Sequence, residues 1–170
     1  MHQKNGTKIF MIILGIDPGF SFTGYAILKK ELGKTFILDF GYLRLPLSQS
    51  LQERIALFHD FLQEKITHWH ITHCSIETPF LGKNAQNFLK LGYLRGIIYL
   101  LVNKNNLVLF EFAPTQIKQA LTGFGGASKE QVSRVLFQLF PNLAKTTKYD
   151  ATDALAISLC GLWQPKKVFI

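Results

Sequence analysis

Four carboxylates occupy positions where a surface charge would not be expected. Asp17 follows an unbroken apolar run, residues 9–16, and Glu77 ends a second apolar segment. Asp150 and Asp153 open a stretch rich in alanine and leucine. Placing an ionised carboxylate against a hydrophobic core costs free energy unless the group is paired or binds a metal ion. Because the chain has only 11 acidic residues, four in such positions indicate a shared site.

The spacing of the last two carboxylates adds to this argument. Asp150 and Asp153 are three residues apart, so on a helix they share one face, with roughly 5–6 Å between their Cβ atoms. Two anions at that distance repel each other, and the positive end of the helix dipole compensates in part. Taken singly, Asp150 fits a helix N-cap and Asp17 fits a turn before Pro18. Taken together, the four residues favour one converging set.

The ligand types indicate which chemistry such a set would support. Carboxylates without accompanying histidine or cysteine ligands suit hard divalent ions such as Mg²⁺ or Mn²⁺. Ions of this kind hold a phosphodiester, activate water and stabilise the leaving oxygen. The chain carries a formal net charge of +8 and a pI near 9.6, and a basic surface attracts polyanions such as nucleic acid. Many basic proteins bind no nucleic acid, so the net charge by itself does not indicate a nuclease. It only adds to the argument from the four carboxylates.

The chain alternates strand and helix patterns. Three strand-like runs separated by glycines come first and predict an antiparallel meander. Helix 51–66 follows, with Ser50 and Glu53 at capping-box spacing. The rest of the sequence predicts strand 74–78, helix 84–103, strand 107–112, helix 115–121, helix 128–140 and helix 150–163. The order predicts an α/β fold, a mixed five-stranded sheet with helices on both faces.

Composition predicts one globular domain. Apolar residues make up 48% and charged residues 18% of the chain, and no linker divides it. We expect residues 1–11 to be an N-terminal extension, with Met11 as an alternative start, residues 12–163 to be the domain, and residues 164–170 a short tail. Cys74 and Cys160 do not form a disulfide framework, and the apolar run ending at Ile16 is too short to span a bilayer. We therefore expect a cytoplasmic protein without membrane contact.

At these residues the sequence resembles the RuvC family of Holliday junction resolvases. The resemblance covers residues 12–162 in the family's order, although the opening Gly-x-Asp-x-Gly alone is shared with other families. The matching segments are Ile12-Ile13-Leu14-Gly15-Ile16-Asp17-Pro18-Gly19, Thr23-Gly24-Tyr25, Ile76-Glu77, Lys83-Asn84-Ala85, Leu89-Lys90-Leu91-Gly92, Arg95-Gly96, residues 107–111, Gln116-Ile117-Lys118-Gln119, Gly123, Gly125, Lys129 and residues 150–156.

The resemblance implies a ribonuclease-H-like fold and a metal-dependent endodeoxyribonuclease of recombination and repair. Its substrate would be a four-way junction, nicked in opposed strands to leave 5′-phosphate and 3′-hydroxyl ends. It also implies a homodimer, a branch-migration motor as partner, and two Mg²⁺ ions per site, with Mn²⁺ as a substitute. The catalytic and metal-binding residues would be Asp17, Glu77, Asp150 and Asp153, and the DNA-binding residues Phe80, Lys83, Lys118 and Lys129.

Other readings of the residues stay open. A phosphotransferase of the actin and sugar-kinase superfamily shares the opening Gly15-Ile16-Asp17-Pro18-Gly19 but needs a second phosphate loop and a longer chain. A non-catalytic protein that recognises branched DNA by shape would not need four carboxylates. The YqgF-like nucleases share the fold, but Lys83-Asn84-Ala85 and residues 150–156 favour RuvC. Arg95 and Lys90 would lie on a helix with Gly92 and Gly96 that contacts either DNA or a second subunit.

Overall fold

The computed structural model describes residues 11–79, 85–145 and 150–164, with the side chains of residues 144, 145, 150 and 151 left out of that description. Phe80, Lys83, residues 1–10 of the expected extension and residues 165–170 of the expected tail therefore lie outside the described residues. No helix in the described ranges is long and apolar enough to cross a bilayer.

Five strands form one mixed sheet. Its spatial order is β3-β2-β1-β4-β5, with antiparallel pairing from β1 to β3 and parallel pairing of β1 with β4 and of β4 with β5. The predicted antiparallel meander is confirmed, and Leu32 and Gly33 at its hairpin both have positive φ, as a tight two-residue turn requires. The strands are β1 Met11–Asp17, β2 Phe22–Glu31, β3 Lys34–Arg44, β4 His73–Glu77 and β5 Val108–Phe112.

Five helices cover both faces of this sheet, as predicted. The helices α1 and α2 pack on the face that carries Leu14 and Ile16, whereas α3, α4 and α5 pack on the face that carries Ile13. A 3₁₀ turn after α4, Pro141–Lys145, was not predicted. The helices are α1 Leu51–His68, α2 Ala85–Lys104, α3 Pro114–Thr122, α4 Lys129–Leu139 and α5 Asp150–Leu162.

Capping boxes are present at two helices, and the one at α1 was predicted from the spacing of Ser50 and Glu53. The Ser50 hydroxyl accepts from the backbone N–H of Glu53, and the Glu53 carboxylate accepts from the backbone N–H of Ser50. Ser128 and Gln131 make the same exchange at α4. These bonds satisfy amide groups that have no partner inside the helix. They also fix where α4 begins, and therefore where Lys129 lies.

Close backbone approach holds α5 against the centre of the sheet. A Cβ atom at Gly15 would lie 2.6 Å from the Ala154 carbonyl oxygen and would overlap the Ser158 hydroxyl. That hydroxyl donates to the Ala26 carbonyl at 3.0 Å, and the Ser75 hydroxyl donates to the Ile157 carbonyl at 3.0 Å. The glycine and the two buried serines thus set the height of α5. Its first turn consequently reaches the edge of the sheet where β1 and β4 end.

Candidate active site

Two of the predicted carboxylates end neighbouring parallel strands. Ile16 pairs with Ile76, so Asp17 and Glu77 are the next residues at the same edge of the sheet, where adjacent strands lie about 4.7–4.9 Å apart. Side chains alternate along a strand, so both carboxylates share the face of Gly15 and Ser75, which is covered by α5. Both are half-buried.

The first turn of α5 supplies a third carboxylate. Asp153 is half-buried, and its Oδ2 accepts a hydrogen bond from the Lys129 ammonium at 2.9 Å. Lys129 is the first residue of α4 and its side chain is 79% exposed. A basic residue that the resemblance assigned to DNA binding therefore contacts the predicted acidic set directly. It remains open enough to water to contact a polyanion as well.

The pKa of Glu77 shows that these side chains share one electrostatic environment. Burial raises this pKa above its ordinary value, and the negative charges of Asp17 and Asp153 raise it further. The positive charges of Lys129 and Lys118 act in the opposite direction. Asp17 and Asp153 are therefore each close enough to Glu77 to repel its carboxylate. The two lysines predicted from the resemblance lie close enough to offset part of that repulsion.

The pKa of Lys129 is raised by the same negative charges, which stabilise its protonated form. Its hydrogen bond to Asp153 and the charge of that carboxylate raise the pKa of the ammonium, burial opposes them, and Asp17 and Glu77 add to the rise. Lys118 lies half-buried on α3, the helix that follows β5. The structure thus brings five of the eight predicted site residues together: Asp17, Glu77, Asp153, Lys118 and Lys129.

Three predicted residues are not placed in this way. Asp150 is the first residue of α5, one turn before Asp153, but its side chain lies outside the described part of the structure. Phe80 and Lys83 belong to the segment between β4 and α2 that is also outside it. Their assignments stay predictions from the resemblance.

The described donor atoms suit a hard divalent cation by their chemistry. Asp17, Glu77 and Asp153 offer only carboxylate oxygens, the ligands that Mg²⁺ and Mn²⁺ prefer, and their mutual repulsion favours a cation between them. As they stand, no three histidine, cysteine, aspartate or glutamate side chains in the described ranges lie close enough together to hold a metal ion. Lys129 occupies one oxygen of Asp153, and the fourth predicted ligand, Asp150, is not among the described side chains.

A buried arginine behind Glu77 is a residue whose role the sequence did not predict. Arg95 is only 7% exposed, and its Nη1 donates to the backbone carbonyl of Glu77 at 2.7 Å. Its Nη2 donates to Glu111 at 2.5 Å and to the Tyr99 hydroxyl at 2.8 Å. These contacts point into the chain, and the expectation that the helix carrying Arg95, Lys90, Gly92 and Gly96 contacts DNA or a second subunit stays a prediction. The sequence signal that could have revealed this role is the presence of one charged residue in an apolar helix, Arg95, and another in an apolar strand, Glu111.

A second arginine braces the turn after Asp17. Arg54 of α1 is buried, donates to the Phe20 carbonyl oxygen and stacks 3.9 Å above the Phe20 ring. On the other side of the same turn, the Thr23 hydroxyl donates to the Gly19 carbonyl at 3.0 Å. The backbone of the two residues after Pro18 is thereby fixed. Asp17 thus precedes a segment held by a buried guanidinium, and Glu77 is itself held by another through its backbone carbonyl.

Known proteins were compared with the chain at the level of sequence and structure. A family model described as "Crossover junction endodeoxyribonuclease RuvC" matches residues 13–161. Curated relatives of that name from Chlorobium phaeobacteroides and Pelodictyon phaeoclathratiforme are each 40% identical over 152 residues, covering 89% of this chain and 81% and 80% of theirs. The solved "T. thermophilus RuvC in complex with Holliday junction substrate" aligns with a TM-score of 0.81 at 24% identity, covering 88% of this chain and 92% of that one. This likeness confirms the ribonuclease-H-like fold implied by the resemblance.

Proposed function

The chain belongs to the crossover junction endodeoxyribonuclease RuvC family, and from this membership we propose that it resolves Holliday junctions by paired, metal-dependent nicks in opposed strands. The observation that carries the proposal is the convergence of Asp17, Glu77 and Asp153 at one edge of the sheet, with Lys118 and Lys129 beside them. Such an arrangement pairs anionic groups for a metal ion with cations for DNA phosphates. We further propose that residues 12–163 are the nuclease domain.

The reaction is hydrolysis of a phosphodiester. A water oxygen attacks phosphorus in line, the bond from phosphorus to the 3′ oxygen breaks, and a 5′-phosphate and a 3′-hydroxyl remain. Lys118 and Lys129 hold the anionic backbone at the carboxylates, and the basic surface supplies the longer-range attraction. Arg95 holds the end of β4, so that Glu77 meets the substrate with its backbone already fixed. Preorganisation of this kind avoids a reorganisation cost during the reaction.

The proposed metal ligands are Asp17, Glu77, Asp150 and Asp153, and the proposed ion is Mg²⁺, with Mn²⁺ as a substitute and two ions per site. Divalent ions bound by such carboxylates stabilise the charge that develops on the phosphate and lower the pKa of water. Asp153 could serve as a ligand through Oδ1, because the Lys129 ammonium bonds only its Oδ2. Lys129 would then remain beside the ion, where its positive charge could also contact the phosphate of the substrate.

We propose a homodimer because two opposed strands require two active sites. An exposed apolar face of α2 offers a surface for a second copy: Leu89 is 57%, Tyr93 39% and Leu100 43% exposed. Gly92 and Gly96 lie on the same helix with open space where a Cβ would stand. Within the described residues no other element packs closely against these glycines, so a helix of a second copy could do so. Phe80 and Lys83 as DNA contacts, and a branch-migration motor as partner, remain part of the proposal on the family resemblance.

The test is nicking of an end-labelled four-way junction, with linear duplex of the same sequence alongside. We expect nicks near the branch point with Mg²⁺, none without a divalent ion, and none in the duplex. Asp17→Asn and Asp153→Asn should each abolish nicking. Asp60→Asn, the same change on the exposed face of α1, should retain it. A junction that is bound but stays uncut with Mg²⁺ and with Mn²⁺ would favour a shape-specific binder instead.

Metal binding is tested separately from activity. Added Mg²⁺ should raise the melting temperature of the wild-type protein, because an ion that binds only the folded state stabilises it by mass action. Asp17→Asn should lose most of that rise, whereas Asp60→Asn should keep it. An equal rise in all three proteins would mean that the carboxylate cluster is not where Mg²⁺ binds.

A further inference from the structure

An aromatic pair lies half in water at the edge of the sheet that carries the carboxylates. Phe22 is 49% and Tyr42 48% exposed, and their ring centroids lie 5.8 Å apart in an edge-to-face arrangement. Arg44, the strand partner of Phe22, is exposed and forms no ion pair with any residue that the structure describes. None of these three residues belongs to the set predicted from the sequence.

Strand register places this group beside Asp17. Asp17 is opposite Gly24, Gly24 is opposite Tyr42, and Phe22 lies two residues before Gly24. Alternate residues of a strand share a face and partners across a ladder share it too, so the two rings and Arg44 lie on the face of Asp17. Two strand spacings separate the Cα atoms of Asp17 and Tyr42 by about 10 Å.

The group is on the opposite side of the carboxylates from Lys118. Phe22, Tyr42 and Arg44 belong to β2 and β3, whereas Lys118 belongs to the helix that follows β5, at the other end of the strand order. A DNA strand that places a phosphate at Asp17 and Glu77 therefore continues towards Lys118 in one direction. In the other direction it continues onto the aromatic pair.

Charge and rigidity favour DNA at this position. Glu31 and Asp39 are the only acidic residues in the sequence between positions 18 and 52. Glu31 lies at the far end of the hairpin and forms an ion pair with Lys29, and Asp39 accepts from Lys65 of α1 on the other face. No carboxylate of this segment thus competes for Arg44. The Leu45 amide donates to the Ser21 carbonyl at 2.8 Å, which fixes the ends of both strands.

We propose that Phe22, Tyr42 and Arg44 form a DNA contact site for the nucleotides that flank the phosphodiester held at Asp17. Arg44 binds a backbone phosphate, and the two rings pack on the adjoining deoxyribose or base. The inference rests on the proposed function and adds a second side to its DNA site. The side chains of Phe22 and Tyr42 contribute through contact area that is exposed in the free chain.

The test compares variants of the hairpin in binding and cleavage of one junction. Affinity is measured by fluorescence anisotropy in EDTA with a fluorescein-labelled four-way junction, over a range of salt. Arg44→Gln should lower the salt slope of binding by about 1, the loss of one phosphate contact. Phe22→Ala with Tyr42→Ala should weaken binding about fivefold or more. Tyr42→Phe, which keeps the ring, should bind like the wild type.

Matched controls lie at the other end of the same hairpin. Lys34→Gln removes an exposed charge, and Leu32→Ala removes a side chain that is 82% exposed; neither should change affinity or salt slope. Melting temperatures identify variants that have lost structure, and Arg44→Gln carries the test if the double alanine variant unfolds. Junctions with 5-iododeoxyuridine within three nucleotides of the cleaved bond should crosslink to Phe22 or Tyr42.

Two negative outcomes are distinguishable. If the wild type nicks the junction but Arg44→Gln and the double alanine variant behave like Lys34→Gln and Leu32→Ala, the contact site is refuted and the proposed function stands. If the wild type neither binds nor nicks the junction, the proposed function fails and the contact site fails with it.

Discussion

At the residue scale, the candidate site consists of carboxylates that repel one another and are kept close together by the fold. Glu77 carries the clearest sign of this, because burial, Asp17 and Asp153 all raise its pKa. Lys129 offsets part of the repulsion through its 2.9 Å bond to Asp153. We expect a cluster arranged in this way to be less stable when empty than with a cation bound, because a cation offsets the repulsion between the carboxylates.

The stability of the metal-free protein should therefore improve when Glu77 loses its charge. The pKa of Glu77 is raised in the folded state above its ordinary value of 4.5. Between the unfolded and folded pKa values the folded state holds more protons, so stability falls as pH rises through this window and the loss persists at neutral pH. Glu77→Gln should melt a few degrees above the wild type at pH 7 in EDTA.

The same comparison at lower pH provides the control for this prediction. Below the unfolded pKa both states of the wild type hold the proton, so the advantage of Glu77→Gln should shrink towards pH 4. Nicking by this variant should be abolished at every pH. A glutamine variant that melts below the wild type at pH 7 would mean that the ionised carboxylate stabilises the empty protein.

At the element scale, two strands and one helix bring the carboxylates together, and their relative positions depend on close packing. Asp17 and Glu77 come together because β1 and β4 are parallel and end at the same edge. Asp153 joins them because α5 lies directly on Gly15. Arg95 then ties α2 to the end of β4 through the Glu77 carbonyl. Each of these contacts is made by backbone or by a neighbouring side chain, and each determines where a carboxylate lies.

Gly15→Ala should displace α5 from β1. The added Cβ would meet the Ala154 carbonyl at 2.6 Å, and backbone atoms cannot rotate away. We expect a loss of stability of about 1–3 kcal/mol or more, measured by urea denaturation, together with a large loss of nicking. Gly41→Ala, where the nearest atom to a new Cβ is 3.4 Å away on the Tyr25 ring, is the matched control and should keep both properties.

Arg95→Gln should affect the rate of nicking more than the affinity for the junction. The substitution removes the bond to the Glu77 carbonyl and leaves Glu111 without its ion pair. A loss of stability of about 1–3 kcal/mol is expected for such unpaired groups. Single-turnover nicking at saturating protein should slow at least tenfold. The dissociation constant measured in EDTA should stay within twofold of the wild type, because the contacts of Arg95 are made within the chain.

Lys104→Gln, at the exposed end of the same helix, controls for the loss of a positive charge on α2. It should keep both the nicking rate and the affinity. Equal losses of rate and affinity in Arg95→Gln would contradict the assignment of Arg95 as a positioning residue, and would indicate that it contacts DNA.

The carboxylates could be found from the sequence because strand ends and helix starts carry local signals. Asp17 and Glu77 stand out against apolar runs, and capping residues mark the beginnings of α1 and α4. Arg95 could not be oriented, because α2 is apolar on most sides and has no distinct stripe that would fix its rotation. The Ser158–Ala26 bond joins residues 132 positions apart, so no local pattern reveals it. The aromatic pair depends on strand register, which the sequence leaves open.

At the scale of the whole molecule, a basic protein presents one acidic edge. A formal charge of +8 attracts polyanions such as DNA, and the carboxylates lie between Lys118 on one side and Arg44 on the other. The exposed face of α2 is available for the second copy that two opposed nicks require. The proposed substrate, metal ion and dimer thus follow from one proposed requirement, which is to cut two strands of one junction.

Concerted cleavage of a single junction is the measurement that tests this claim most directly. Two opposed strands of a synthetic four-way junction carry different fluorophores, and the products formed with Mg²⁺ are treated with DNA ligase. We predict nicks at symmetric positions in both labelled strands, sealed by the ligase, and none with Asp17→Asn. Nicks confined to one strand, nicks in linear duplex at the same rate, or ends that the ligase does not seal would contradict the account.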